Sequence, residues 1–302
     1  ANSIVGHLPG GLGHVNVLAS TIFAGMSGTA IADAAGLGPI EIKAMTDNGY
    51  DKEFSTAVTA ASSIIGPIIP PSTIMVVYGV TAGVSVGALF MGGVIPGIII
   101  ALLEMCLVWY YSKKRHYPRN DKFSWKRLFV SLKDSIWALL CPLVIIGGIL
   151  GGVFTPTEAG AVASLYSLLV SLFAYRSLSL KDLPQILWRT ALTSGVVLVI
   201  VATASIFGWC LTFAKVPQLV ASALSSLTSS KIVMMLILSV IYLFLGCIME
   251  ASAIVLTTVP ILLPVLKILH IDLVYFGVIV ALLMSIGTIT PPVGTVLFIL
   301  SK

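Results

Sequence analysis

Gly66-Pro67-Ile68-Ile69-Pro70-Pro71 interrupts an apolar run that would otherwise read as one membrane-spanning helix. Near the other end of the chain, 221 positions later, Gly287-Thr288-Ile289-Thr290-Pro291-Pro292 does the same. Proline removes a backbone donor and clashes with the preceding turn, so neither helix continues unbroken. Irregular backbone at membrane depth survives only where protein buries it or where it lines a cavity. Two such breaks in corresponding places point to a binding site of the kind found in secondary transporters.

Composition agrees with a membrane setting. The 302 residues are 58% hydrophobic and only 10% charged, with a mean hydropathy of +1.07; a soluble domain carries about 25% charge. The fold class expected is an all-α polytopic membrane protein. The net charge of +5 is not a nucleic-acid footprint, because seven of the 17 Lys and Arg sit between 113 and 127. That loop sets Lys113, Lys114, Arg115, Arg119, Lys122, Lys126 and Arg127 against Asp121 alone, and the positive-inside rule makes it cytoplasmic. Cys106, Cys141, Cys210 and Cys247 are scattered through apolar runs and imply neither a disulfide nor a metal site.

Working outward from the first break, residues 10–24 and 30–38 are two short apolar arms around the turn Gly25-Met26-Ser27-Gly28-Thr29. Each arm is about half the roughly 20 residues that a spanning helix needs, so the pair reads as a re-entrant hairpin. Residues 39–54 are polar and read as an exposed linker, 55–80 as the first broken helix, and 84–112 as a span with one charge, Glu104. Residues 124–135 suggest a basic interfacial helix, followed by spans at 136–153, 158–175 and 190–213. A second hairpin covers 231–265 with its tip at Gly246-Cys247-Ile248-Met249-Glu250, and residues 266–275 link it to the second broken helix, 276–301.

The offset of 221 extends beyond the breaks. It pairs Phe23 with Phe244, Gly25 with Gly246, Ala30 with Ala251, Pro39 with Pro260 and Asp51 with Asp272, without a gap. Between the hairpins the expected crossings number five, an odd count, so the second hairpin enters from the opposite face. That is an inverted repeat. It divides the chain into a first transport half (1–80), scaffold spans (81–230) and a second transport half (231–302). Spans that flank one half and not the other lead us to expect a native chain that extends in both directions.

The chemistry expected of such units is coordination. Unwound carbonyls and hydroxyls suit sodium, and exposed helix N-termini suit a carboxylate. The sodium-site candidates are Ser27, Ser62, Ser63, Gly66 and Pro67 in the first half and Gly246, Glu250, Gly287, Thr288 and Thr290 in the second. Gly28, Thr29, Asp33 and Pro71, with Ala251 and Pro292, are the candidates for holding substrate. An acid inside a membrane is a functional hypothesis in its own right, which singles out Asp33 and Glu250; capping the second arm of each hairpin is the competing role. Glu158 follows Pro156-Thr157 and reads as a helix cap, and His14 and Asn16 are expected to bond within the first hairpin. The spacing carries no hydrolytic triad, phosphate loop or cofactor motif, and no enzyme is expected.

The stretches running from Gly10 to Gly38 and from Gly66 to Ser72, with Gly246 to Pro264 and Thr290 to Gly294, resemble the large membrane subunit of tripartite ATP-independent periplasmic (TRAP) transporters. The likeness covers essentially the whole chain. It implies sodium-driven uptake of an organic acid such as sialic acid or a dicarboxylate, by an elevator movement in the bacterial inner membrane. It also implies two partners, a small four-helix membrane subunit and a periplasmic substrate-binding protein. Family sodium sites carry over to Ser27, Ser63, Gly66, Gly246, Glu250, Gly287 and Thr290. The alternatives are a stand-alone sodium/dicarboxylate symporter and, in a different class, an ion channel.

Overall fold

The first hairpin turns on Gly28. A short helix α1 (Asn2–Val5) leads to α2 (Gly11–Ser27), and Gly28 ends it with φ of 64°, a left-handed conformation that glycine adopts without a Cβ penalty. Thr29 then caps α3 (Ala30–Gly36), its hydroxyl accepting from the Ala32 N–H at 3.2 Å. Next come α4 (Gly38–Asp47) and α5 (Lys52–Ser63), the first break, and α6 (Thr73–Ala82) capped by Ser72. The long α7 (Val86–Arg115) is followed by α8 (Trp125–Leu150) and α9 (Pro156–Leu169), which a π turn at Val170–Ala174 extends. A 3-10 turn (Leu180–Asp182) opens α10 (Leu183–Phe213), and α11 (Val216–Leu227) leads to the second hairpin, α12 (Lys231–Gly246) and α13 (Ala251–Ile268). The second broken helix is α14 (Leu273–Thr288) and α15 (Thr295–Leu300). The Pro70–Pro71 and Pro291–Pro292 bonds are both cis.

This computed structural model describes residues 1–118, 124–228 and 230–301, and within them all regular structure is helical. Arg119, Asp121 and Lys122 of the basic loop lie outside the described residues, as does Lys302. Among the described residues, five helical segments are long and apolar enough to cross a membrane: Val86–Arg115, Trp125–Leu150, Pro156–Ala174, Leu180–Phe213 and Ala251–Ile268.

The structure corrects several expectations. Residues 39–54 are not a bare linker: α4 and the start of α5 occupy most of them, because Met45 and Tyr50 are buried. The interfacial helix at 124–135 and most of the span at 136–153 are one continuous helix, α8, which also accommodates Pro142. Residues 216–227, given no element in the sequence reading, form α11, whose Ala221 packs into the core around α13. Most of 266–275 belongs to the helices on either side. Glu158 does cap α9, in a reciprocal box with Thr155.

The two repeats cross. Tyr78 of α6, in the first half, packs with Tyr242 and Phe276 of the second half, and its hydroxyl donates to the Leu273 carbonyl at 2.8 Å. Reciprocally, Val296 of α15 is buried with Ala30, Ala34 and Ala60 of the first half, and Ile289 of the second break packs beside them. Each broken helix therefore finishes inside the other half.

Helix α7 is keyed into this core by glycines. A Cβ at Gly93 would run into the Ile68 carbonyl, and one at Gly97 into the Ile69 side chain; at Gly92 it would lie 2.9 Å from Val278. At its end Arg115 pairs with Asp51 at 2.6 Å, and the Tyr117 hydroxyl donates to the same carboxylate. Tyr117 also stacks on Tyr50 at 4.5 Å, and the Tyr50 hydroxyl bridges the Leu12 N–H and the Pro118 carbonyl. By contrast α8, α9 and α10 leave most of their apolar surface uncovered, as helices facing lipid or a partner subunit do.

Two outcomes follow from this packing. Gly93→Ala overpacks α7 against the break and is expected to cost about 1–3 kcal/mol, whereas Gly147→Ala, which meets nothing within 4 Å, gains helix propensity of up to about 1 kcal/mol. Thermal unfolding in detergent reads both, and the reverse order would refute the packing. The Tyr117 hydroxyl and the Arg115 guanidinium hold Asp51 below the usual carboxylate range. The stability it contributes is thus complete above about pH 4 and fades as pH falls through the lowered value. Asp51→Asn should remove that part of the acid dependence; parallel acid profiles for the two proteins would show that the carboxylate contributes none.

Candidate functional site

Each break docks on the tip of its own hairpin, through the backbone. After the first double proline, the Thr73 N–H donates to the Gly28 carbonyl at 3.3 Å. After the second, the N–H groups of Val293 and Gly294 donate to the Cys247 carbonyl at 3.2 and 3.3 Å. The approach is close enough to require glycine. A Cβ on Gly66 would sit 3.0 Å from the Thr29 carbonyl oxygen, and one on Gly287 would sit 2.5 Å from the Gly246 carbonyl carbon. A Cβ on Gly28 would strike the Pro71 carbonyl. The candidates Gly28, Thr29, Gly66 and Pro71 are thus brought together at one tip, and Gly246 and Gly287 at the other.

Side chains divide the two tips. In the first half a buried polar network lies about two to three turns below the tip along α2. Asn16 donates to the Thr59 hydroxyl at 2.7 Å and accepts from Ser62 at 2.8 Å, and Ser20 donates to Ser62 at 3.1 Å. These bonds cross from α2 to α5, so the expectation that Asn16 bonds within the hairpin is corrected. Polar residues at helical spacing inside apolar arms (Asn16 and Ser20; Ser55, Thr59 and Ser62) were the available signal for this pairing. Ser63 donates to the Ala60 carbonyl. The Pro67 carbonyl, a candidate ligand, accepts from Ser72, a residue the sequence reading passed over.

Asp33 is 1% exposed, on α3 just past the tip. Its carboxylate oxygens make no well-formed hydrogen bond: the Ser20 hydroxyl lies close to them but donates to Ser62. Thr29 rather than Asp33 caps α3, so capping does not account for this acid. The Ser27 hydroxyl at the end of α2 is likewise buried without a partner. Buried polar groups are nearly always satisfied, so two unsatisfied ones beside a tip are sites where a ligand gains more than a solvated surface offers.

The second tip is built differently. Glu250 caps α13, accepting from the Ala253 N–H at 3.0 Å and from the Ser252 hydroxyl at 2.9 Å, and it is exposed. Ala251 is buried as the first residue of α13. Thr288 and Thr290 donate back to the Ser285 and Ile286 carbonyls of their own helix. Pro292 lies exposed beyond them.

Comparison with known proteins places these geometries in context. All 302 residues match the family model described as tripartite ATP-independent periplasmic transporter, DctM component. The chain is 44% identical to the sialic acid TRAP transporter large permease protein SiaM of Vibrio cholerae, over all of this chain and 71% of that protein. It is 43% identical to the sialic acid TRAP transporter permease protein SiaT of Haemophilus influenzae, over all of this chain and 49% of that protein. It is 38% identical to the C4-dicarboxylate TRAP transporter large permease protein DctM of Pseudomonas aeruginosa, over all of this chain and 70% of that protein.

The Asn16 network is testable by stability alone. Asn16→Ala leaves Thr59 and Ser62 without their buried partner and is expected to cost about 1–3 kcal/mol. Thr56→Ala removes only a back-bond to the Lys52 carbonyl and should fall within about 0.5 kcal/mol. Equal effects in chemical unfolding would mean that the network adds nothing.

Proposed function

Since the chain belongs to the DctM component family of tripartite ATP-independent periplasmic transporters, we propose that it carries an organic acid anion inward across the bacterial inner membrane, driven by sodium. Its relatives are permeases, and it is a membrane transport component rather than an enzyme. In this reading it works beside a small four-helix membrane subunit and a periplasmic binding protein that delivers the substrate, with the loop 113–127 cytoplasmic. Relatives of similar identity are named for sialic acid and for C4-dicarboxylates, so the shared requirement is an acidic group rather than one molecular body.

The observation that supports the proposal is that two breaks at one repeat offset each dock by backbone N–H groups on the tip of their own hairpin. Sodium is held at the first tip by Ser27, Ser63 and the carbonyls near Gly66, with Ser62 and Pro67 behind them. At the second tip it is held by the backbone of Gly246 and Gly287 with Glu250, Thr288 and Thr290. The substrate anion meets Gly28, Thr29 and Pro71 from one side and Ala251 and Pro292 from the other, and Asp33 completes the first side. The elevator unit comprises 1–80 and 231–302. The spans of 81–230, α7 included, form the scaffold, and the glycine face of α7 meets Ile68, Ile69 and Val278 across that boundary.

Reconstituted protein with its companion subunits should take up the acid only when an inward sodium gradient and the binding protein are both present. Uptake without the binding protein would favour a stand-alone symporter, and passive current a channel. Ser27→Ala and Glu250→Gln should each raise the sodium concentration for half-maximal uptake by about tenfold, equivalent to about 1.4 kcal/mol of binding. Unchanged sodium dependence in both variants would remove these residues from the site.

A further inference from the structure

Next to the first tip lies a cavity of about 390 Å³ with two unlike walls. Met26, Pro71 and Phe90 line one side, from the tip, the break and α7. Cys141 of α8 with Gly160, Ser164 and Ser167 of α9 lines the other. The volume lies within the roughly 300–1,000 Å³ typical of small-molecule sites. None of the lining residues is charged. A carboxylate would therefore not be compensated here, whereas a neutral body with some hydroxyl character would be. Ser164 donates its proton to the Gly160 carbonyl at 2.8 Å, which leaves its oxygen able to accept, and Ser167 lies 3.7 Å from the Cys141 thiol. The α9 wall is also left open: a Cβ on Gly160 would meet nothing within 4 Å.

We infer that this cavity receives the uncharged body of the organic acid while its carboxylate stays at the tip, and that Gly160 and Ser164 of α9 limit how large that body can be. The inference rests on the transport reading above. Continuity with the tip supports this occupant, because Pro71, which lines the cavity, is also the residue whose carbonyl Gly28 approaches most closely. The scaffold then takes part in selection directly: α9 measures the substrate against the hairpin, and the smallness of residue 160 sets the limit.

Two measurements test it. In native membranes, Ser164→Cys is alkylated with N-ethylmaleimide and the modified peptide is quantified with sialic acid, succinate or isethionate present. Whichever acid the same preparation transports should slow modification at least tenfold. Gly160→Leu, which has free space to occupy, should raise KM for the bulkiest transported acid about tenfold with kcat little changed, while Gly160→Ala changes it less than twofold. Uptake retained while the introduced thiol is modified at the same rate with and without the acid, as a lipid chain in the cavity would give, overturns the assignment and leaves transport standing. So does an unaltered KM in Gly160→Leu. No uptake of any acid overturns the transport reading and this occupant with it.

Discussion

A helix broken inside a bilayer leaves amides and carbonyls that no water can satisfy, and the whole architecture follows from where they go. Here they go to hairpin tips. The second amide after one double proline, that of Thr73, reaches the Gly28 carbonyl, and two amides after the other reach Cys247. This docking requires the backbones to touch, which is why Gly66 faces Thr29 and Gly287 faces Gly246. Any side chain at these glycines would separate break from tip and leave the polar groups exposed to hydrocarbon, at a cost of several kcal/mol each.

The same constraint explains the crossing of the halves. A half-helix that emerges from a break needs an apolar partner, and the partner available is the opposite repeat: Tyr78 enters the core around Phe276, and Val296 enters the cluster of Ala30 and Ala34. The symmetry is one of breaks and double prolines, not of the tip carbonyl used or of the side chains. At the offset of 221, Asn16, Ser20, Asp33, Thr59 and Ser62 correspond to Ile237, Ile241, Ile254, Val280 and Leu283. One half holds a buried polar network below its tip where the other carries aliphatic side chains, so the two halves offer unlike chemistry.

Much of this was legible in the order of residues. Prolines and glycines act locally, so the two breaks, both tips, the offset and the capping role of Glu158 could be read before any fold was known. What misled were segments whose environment was not local. Residues 39–54 looked solvated because their polar side chains dominate by number, yet Met45 and Tyr50 bury and pull the segment into helices. Residues 124–153 looked divided because charge changes along them, yet one helix runs from Trp125 to Leu150. Asn16 looked self-sufficient within its hairpin, because its partners lie 43 and 46 residues away on α5.

The sequence by itself determined that this is a helical membrane protein built on an internal repeat, since hydropathy, breakers and period are written along the chain. Only the tertiary structure decided which tip carbonyl each break uses, that α7 is keyed to the first break and to α14, and that Asp33 is buried without a well-formed hydrogen bond while Glu250 caps its helix. The reason is physical. Helix and break depend on neighbours in sequence, whereas satisfaction of a buried polar group depends on what distant segments bring within about 3 Å of it.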